Sequence, residues 1–196
     1  MSVYCVREHH TRTIMKFACL LANGFEETEM ISVVDLLRRA KIDVDLVSIG
    51  ALHVTGSHGV TVIADKLWND MAAYDGLFLP GGQPGTNNLG NDERVLNLIK
   101  EYVNKDKWVT AICAAPSVLA KAGVLKGKRV TSYPMSNVSD IFKDAQYSED
   151  FVVQDGKIIT SRGVGTALHF GLHLVEALGY DAKTLSDSIL FTLVNK

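Results

Sequence analysis

Long apolar runs are missing from this chain. Its most hydrophobic early stretch, Phe17 to Ala22, follows Lys16 and falls well short of the roughly 20 residues that cross a bilayer, so no membrane span is expected. Basic clusters are missing too: lysines and arginines never gather beyond pairs such as Arg38 with Arg39, and the formal net charge is −2, which offers nothing to nucleic acid. Cysteine is scarce. Cys5, Cys19 and Cys113 are odd in number and lack C-x-x-C spacing, which argues against a disulfide framework and a thiolate metal site and for a reducing, cytoplasmic compartment. The first fourteen residues, MSVYCVREHHTRTI, lack the apolar core of a signal peptide. With Met15 standing just before the first strand, residues 1–14 read as an extension or a mis-called start, and residues 15–196 as one domain.

What is present is an ordinary globular composition, 47% hydrophobic and 21% charged, arranged as strand runs alternating with helical periodicity. KFACLLA (16–22) reads as a strand, Met30, Val33, Val34 and Leu37 share a helix face, and VDLVSI (44–49) is the second strand. A short strand is expected at 61–64 and a buried one at 76–80. Asn91 is expected to cap a helix with Val95, Leu98, Ile99 and Tyr102 on one face. Segments 128–133 and 151–161, the latter turning at Asp155-Gly156, are expected to extend the sheet, and helices at about 165–178 and 182–194 to close the chain. The pattern predicts an α/β fold: a doubly wound, mostly parallel sheet with helices on both faces.

In such sheets the ligand site lies beyond the carboxyl ends of the strands, and three loops there carry chemistry. In KWVTAICAAPS (107–117) an apolar strand runs into Cys113 and then a small-residue helix start with Pro116 in its first turn. That is the layout of a nucleophile elbow carrying a thiol, and a helix N-terminus favours thiolate. NGFEETE (23–29) packs Glu26, Glu27 and Glu29 into another helix start, where they also suit the helix dipole. GGQPGTNN (81–88) follows a buried strand. Lacking a subsequent Lys-Ser/Thr it is no phosphate loop, but a backbone N–H there, with the amide of Ala114, suits the oxygen of a carbonyl that Cys113 attacks.

GFEETE, LPGG, AICAAPS with LAKAGVLKGKRVTSYP, and SRGVGTALHFG occur together and in order. In this the chain resembles the ThiJ/PfpI superfamily, specifically the branch of the parkinsonism-associated protein deglycase and its bacterial relatives, over about residues 15–194. The resemblance implies a flavodoxin-like fold, a homodimer, and Cys113 as nucleophile beside a protonated glutamate, which the motif match places at Glu29. It also implies that Gly82 and Ala114 supply backbone donors to an oxyanion, with no cofactor and no metal. Tyr133 stands where some members carry a histidine, leaving more proton transfer to Glu29. His58 stands where several carry an arginine that reaches the cysteine from the dimer partner. Arg162 is the other basic residue near the expected site, with support of a loop through backbone carbonyls as its plainer role.

The implied activity is a cofactor-independent glyoxalase or deglycase reaction on α-oxoaldehydes such as methylglyoxal, or on their protein adducts, through Cys113 and a Glu29 proton shuttle. A cysteine-based oxidative-stress sensor or chaperone uses the same two residues. A peptidase fits less well, because Ala114 stands where that branch has histidine, and nothing binds a thiazole phosphate as thiamine biosynthesis would require. His169, His173 and Glu176 share a helix face but lack the H-E-x-x-H general base of a zinc enzyme. Cys19, flanked by apolar residues, reads as core.

Overall fold

The computed structural model describes residues 14–194. The expected extension, with Cys5, His9 and His10, lies outside the described residues apart from Ile14. Eleven strands are described: β1 (Lys16–Leu21), β2 (Asp43–Ser48), β3 (His53–Thr55), β4 (Thr61–Ile63), β5 (Lys66–Leu67), β6 (Gly76–Leu79), β7 (Trp108–Ile112), β8 (Arg129–Val130), β9 (Gln146–Tyr147), β10 (Val152–Asp155) and β11 (Ile158–Ser161). The helices are α1 (Glu27–Arg39), α2 (Gly85–Gly90), α3 (Glu93–Asn104), α4 (Pro116–Lys121), α5 (Val138–Ile141), α6 (Ala167–Ala177), α7 (Ala182–Ser188) and α8 (Phe191–Val194).

Seven strands form the central sheet in the order β10-β11-β7-β6-β1-β2-β5, all parallel except the edge strand β10. This is the predicted flavodoxin-like architecture. Central strands covered on both faces must be apolar on both, and β1 shows it: Phe17, Cys19 and Leu21 pack towards α1 and α6, while Ala18 and Leu20 pack towards α3 and α4. α1 buries Met30, Val33, Val34, Leu36 and Leu37 along one stripe and ends with Arg38 and Arg39, cations that suit a helix C-terminus. Chain order reverses between β1 and β6. β2 leads away on one side and β7 on the other, so the loops after β1 and β6 are left facing each other across a crevice.

The short strand expected at 61–64 is present as β4, paired with β3 in a separate hairpin. Several other expectations need correction. Residues 129–130 pair with β9 in another small sheet and do not extend the central one. Segment 128–133 has too few apolar positions to be covered on two faces. Asn91 ends α2, and Asp92 caps α3 through a hydrogen bond from the Arg94 N–H at 2.9 Å. The last helix is broken: Leu190 adopts φ 61° between α7 and α8.

Candidate functional site

Cys113 follows β7 with φ 64°, a left-handed conformation that costs a non-glycine residue energy and persists where the surroundings fix it. Its N–H donates to the Ser161 carbonyl at 3.0 Å, and its carbonyl accepts from the Tyr133 N–H at 2.8 Å. The corner is thus gripped from both sides, and the half-buried thiol stands out of the chain's path. Gly81 lets the loop after β6 approach. A Cβ there would lie 2.5 Å from the Cys113 Cβ and 2.7 Å from Glu29 Oε2, closer than any side chain tolerates. Gly82 continues the loop at φ 91°.

The three consecutive-looking carboxylates do three different things. Glu26 is the N-cap of α1, its Oε2 accepting the Glu29 N–H at 2.7 Å. Glu27 turns to the β3–β4 hairpin, where Oε1 accepts from the His58 N–H at 2.7 Å and the Val60 N–H at 3.3 Å. Its Oε2 meets His58 Nδ1 at 3.0 Å and accepts from Ser57 Oγ at 3.3 Å. Burial alone would raise its pKa, but these hydrogen bonds win and hold the carboxyl at about 2. Glu29, fully buried, accepts the Gly81 N–H at 2.9 Å through Oε2. Its Oε1 has no hydrogen-bond partner, and the carboxyl group lies beside the Cys113 thiol.

Burial pushes the Glu29 carboxyl up to about 7, against the hydrogen bonds from Cys113 and Gly81. Burial, then the neighbouring carboxylate, pushes the Cys113 thiol up to about 12, against the Ala114 and Gly82 N–H groups that point at sulfur. The expected lowering of the thiol by its helix start is therefore outweighed. Below about pH 7 the pair carries two protons and above it one, shared between the carboxyl and the thiol. A sulfur that attacks an electrophile hands that proton to Glu29.

Glu29, Cys113, Gly82, Tyr133, His58 and Arg162 line a single cavity of about 680 Å³. Ala114 reaches it through its N–H at the sulfur. Arg162 also fills its plainer role, Nη1 donating to the Glu149 carbonyl at 2.8 Å. His58, expected to arrive from a dimer partner, lines the cavity of its own chain because Glu27 holds it there. Phe151, Ser57 and Glu26 also line the cavity and were missed; a lone exposed Phe151 after an acidic turn carries no local signal of a site. Among the described residues, Glu26, Glu27 and His58 bring three possible metal-ligand atoms within 4.8 Å of one another, but Glu27 and His58 already hold each other. On α6, His173 Nε2 is paired with Gln154 Oε1 at 2.8 Å, and the His169 ring is packed edge-on between Phe151 and Phe191, so that face is built into the surface rather than arranged around an ion.

A thiol at a strained corner, a buried acid beside it and two backbone N–H groups at the sulfur invite comparison with known proteins. Protein DJ-1 homolog A of Arabidopsis thaliana is 39% identical over 160 residues, 80% of this chain but 40% of that protein, so the chain spans well under half of that relative. Protein dj-1beta of Drosophila melanogaster is 40% identical over 167 residues, 84% of this chain and 89% of the relative. The crystal structure of Drosophila melanogaster DJ-1beta superposes with a TM-score of 0.86 at 37% identity, covering 91% of this chain and 98% of that one. The DJ-1/PfpI family model matches residues 15–177, a span that holds every residue of the cavity, and the chain belongs to that family.

Proposed function

We propose that the chain is a cofactor-independent enzyme acting on α-oxoaldehydes such as methylglyoxal, or on the adducts they form with protein amines. The observation that carries this reading is the Glu29 carboxyl, buried against the Cys113 thiol and raised to about 7, where a group takes and returns protons most readily at neutral pH. Sulfur adds to the aldehyde carbon and its proton passes through Glu29 to the aldehyde oxygen, giving a hemithioacetal and leaving Glu29 ionised. Gly82 and Ala114 N–H groups stand beside the sulfur, placed to stabilise charge on the adjacent oxygen. Glu29 then moves a proton from the aldehyde-derived carbon to its neighbour through an enediol. The product is an S-(2-hydroxyacyl) thioester on Cys113, and water releases the hydroxy acid, lactate in the case of methylglyoxal. A cavity of about 680 Å³ far exceeds a three-carbon dicarbonyl and accommodates an amine-borne adduct.

A homodimer accompanies this proposal: Ile31 on α1 and Val60 and Ile63 of the β3–β4 hairpin are large apolar side chains left exposed on the elements that wall the site. A cytoplasmic setting fits the sparse cysteines, the two described ones being free thiols, and no described helix is long and apolar enough to cross a membrane. Incubation with methylglyoxal followed by NMR tests the reaction. Wild type should accumulate lactate, Cys113→Ser none, and Glu29→Gln about 100-fold less; equal turnover in all three would overturn it.

A further inference from the structure

We infer that Glu27 and His58 form a second acid–base unit, which activates the water that hydrolyses the Cys113 thioester. The inference rests on the reaction proposed above. That reaction ends with a water molecule attacking an acyl-sulfur carbonyl, and Glu29 is poorly placed to deprotonate it. Glu29 is fully buried, fixed through Oε2 to the Gly81 N–H, and its carboxyl group lies against the sulfur that must leave. Ser57 and His58 line the same cavity, and the His58 side chain is mostly open to solvent.

The imidazole is oriented. Its Nδ1 lies 3.0 Å from Glu27 Oε2 and 3.1 Å from Ser57 Oγ, with Glu26 Oε1 further away at 3.8 Å. Glu27 is an acceptor, so Nδ1 carries the hydrogen and the lone pair of the neutral ring resides on Nε2. A carboxylate that fixes the tautomer of a histidine and stabilises its cation is the arrangement that makes imidazole an effective base. The same carboxylate fixes the turn: with Oε1 it takes the N–H groups of His58 and Val60, so the ring is presented by a backbone that cannot drift from α1. Glu27 contacts neither thiol nor cavity, which makes it a positioning residue. His58 is mostly exposed and lines the cavity with Cys113, Glu29, Tyr133 and Arg162, the other titratable or charged groups around it besides Glu26 and Glu27.

In the step itself, Nε2 takes a proton from water as its oxygen bonds to the acyl carbon. The carbon–sulfur bond then breaks, Cys113 leaves as thiolate and recovers through cavity water the proton that His58 took, and the hydroxy acid loses its own proton to solvent as it departs. No oxidant or reductant is needed.

The test isolates this step from the dicarbonyl chemistry. Cys113 is acetylated with p-nitrophenyl acetate, the burst of nitrophenolate counts the thioester formed, and its decay is followed by intact-protein mass spectrometry. In His58→Gln decay, taken per thioester counted by that variant's own burst, should slow about 100-fold, with circular dichroism showing the fold intact. In His58→Ala added imidazole should restore decay, and Glu27→Gln should slow it by an intermediate factor. Equal decay in wild type and His58→Gln would overturn the proposal, and so would a Cys113 that accepts no acetyl group. Normal His58-dependent decay with no lactate from methylglyoxal would leave this inference standing and remove only the dicarbonyl reading.

Discussion

At the scale of single residues, Glu29 is held against its own preference for ionisation, and its stability profile should show it. With a carboxyl raised from 4.5 to about 7, the folded state binds the proton more tightly than the unfolded state does. Its contribution is therefore fully present below pH 4.5 and lost as pH rises through 7, by about 3 kcal/mol at most. Denaturant titrations should find Glu29→Gln level with wild type near pH 4.5 and more stable above pH 7; parallel profiles would show that the carboxyl is not perturbed. The thiols make a second test. Cys113 should react with iodoacetamide at a rate that climbs as pH passes about 7, a climb that Glu29→Gln removes, whereas Cys19, fully buried with its thiol pushed up by that burial, should label only on unfolding. Identical labelling of the two at every pH would contradict this. Cys113 was legible from its strand-to-helix corner alone. The division of labour among Glu26, Glu27 and Glu29 was not, because neighbouring carboxylates look alike until the chain shows which faces a thiol and which faces a hairpin some thirty residues downstream.

At the scale of elements, α6 is fastened to the sheet by Phe170, whose ring is fully buried with its centroid 6.0 Å from that of Phe78. Phe170→Ala should cost about 3–5 kcal/mol and lower the melting temperature by roughly 10 °C, read by calorimetry. A smaller loss would mean that α6 repacks freely against α1. Strands β1, β2, β6 and β7 were legible because burial on both faces writes itself as continuous apolar sequence. β4 and β8 were legible as extended runs, but their partners β3 and β9 were not, since two or three residues pairing outside the sheet leave no periodicity. The cap of α3 was misplaced by one residue because Asn91 and Asp92 are both good caps, and geometry alone chooses Asp92. His58 was legible as a site residue only through the resemblance, and Ser57 beside it was not.

At the scale of the molecule, assembly is the open test of the exposed apolar surface. Light scattering should find a homodimer, and Ile31→Glu, which places a charge on an exposed position of α1, should give a folded monomer. A wild-type monomer at assay concentration would remove the partner from the proposal. The crevice between β1 and β6 has one more consequence, and it concerns folding. The thiol's surroundings come from the loops after β1, β6, β7 and β11, spread from Glu26 to Gly163, so no fragment of the chain contains them together. Contacts of such long sequence separation form late and are lost with the global transition rather than by local breathing. The distinctive pH response of Cys113 is thus a built-in gauge of whether the whole sheet has closed, and a misfolded or truncated chain would betray itself by an ordinary cysteine.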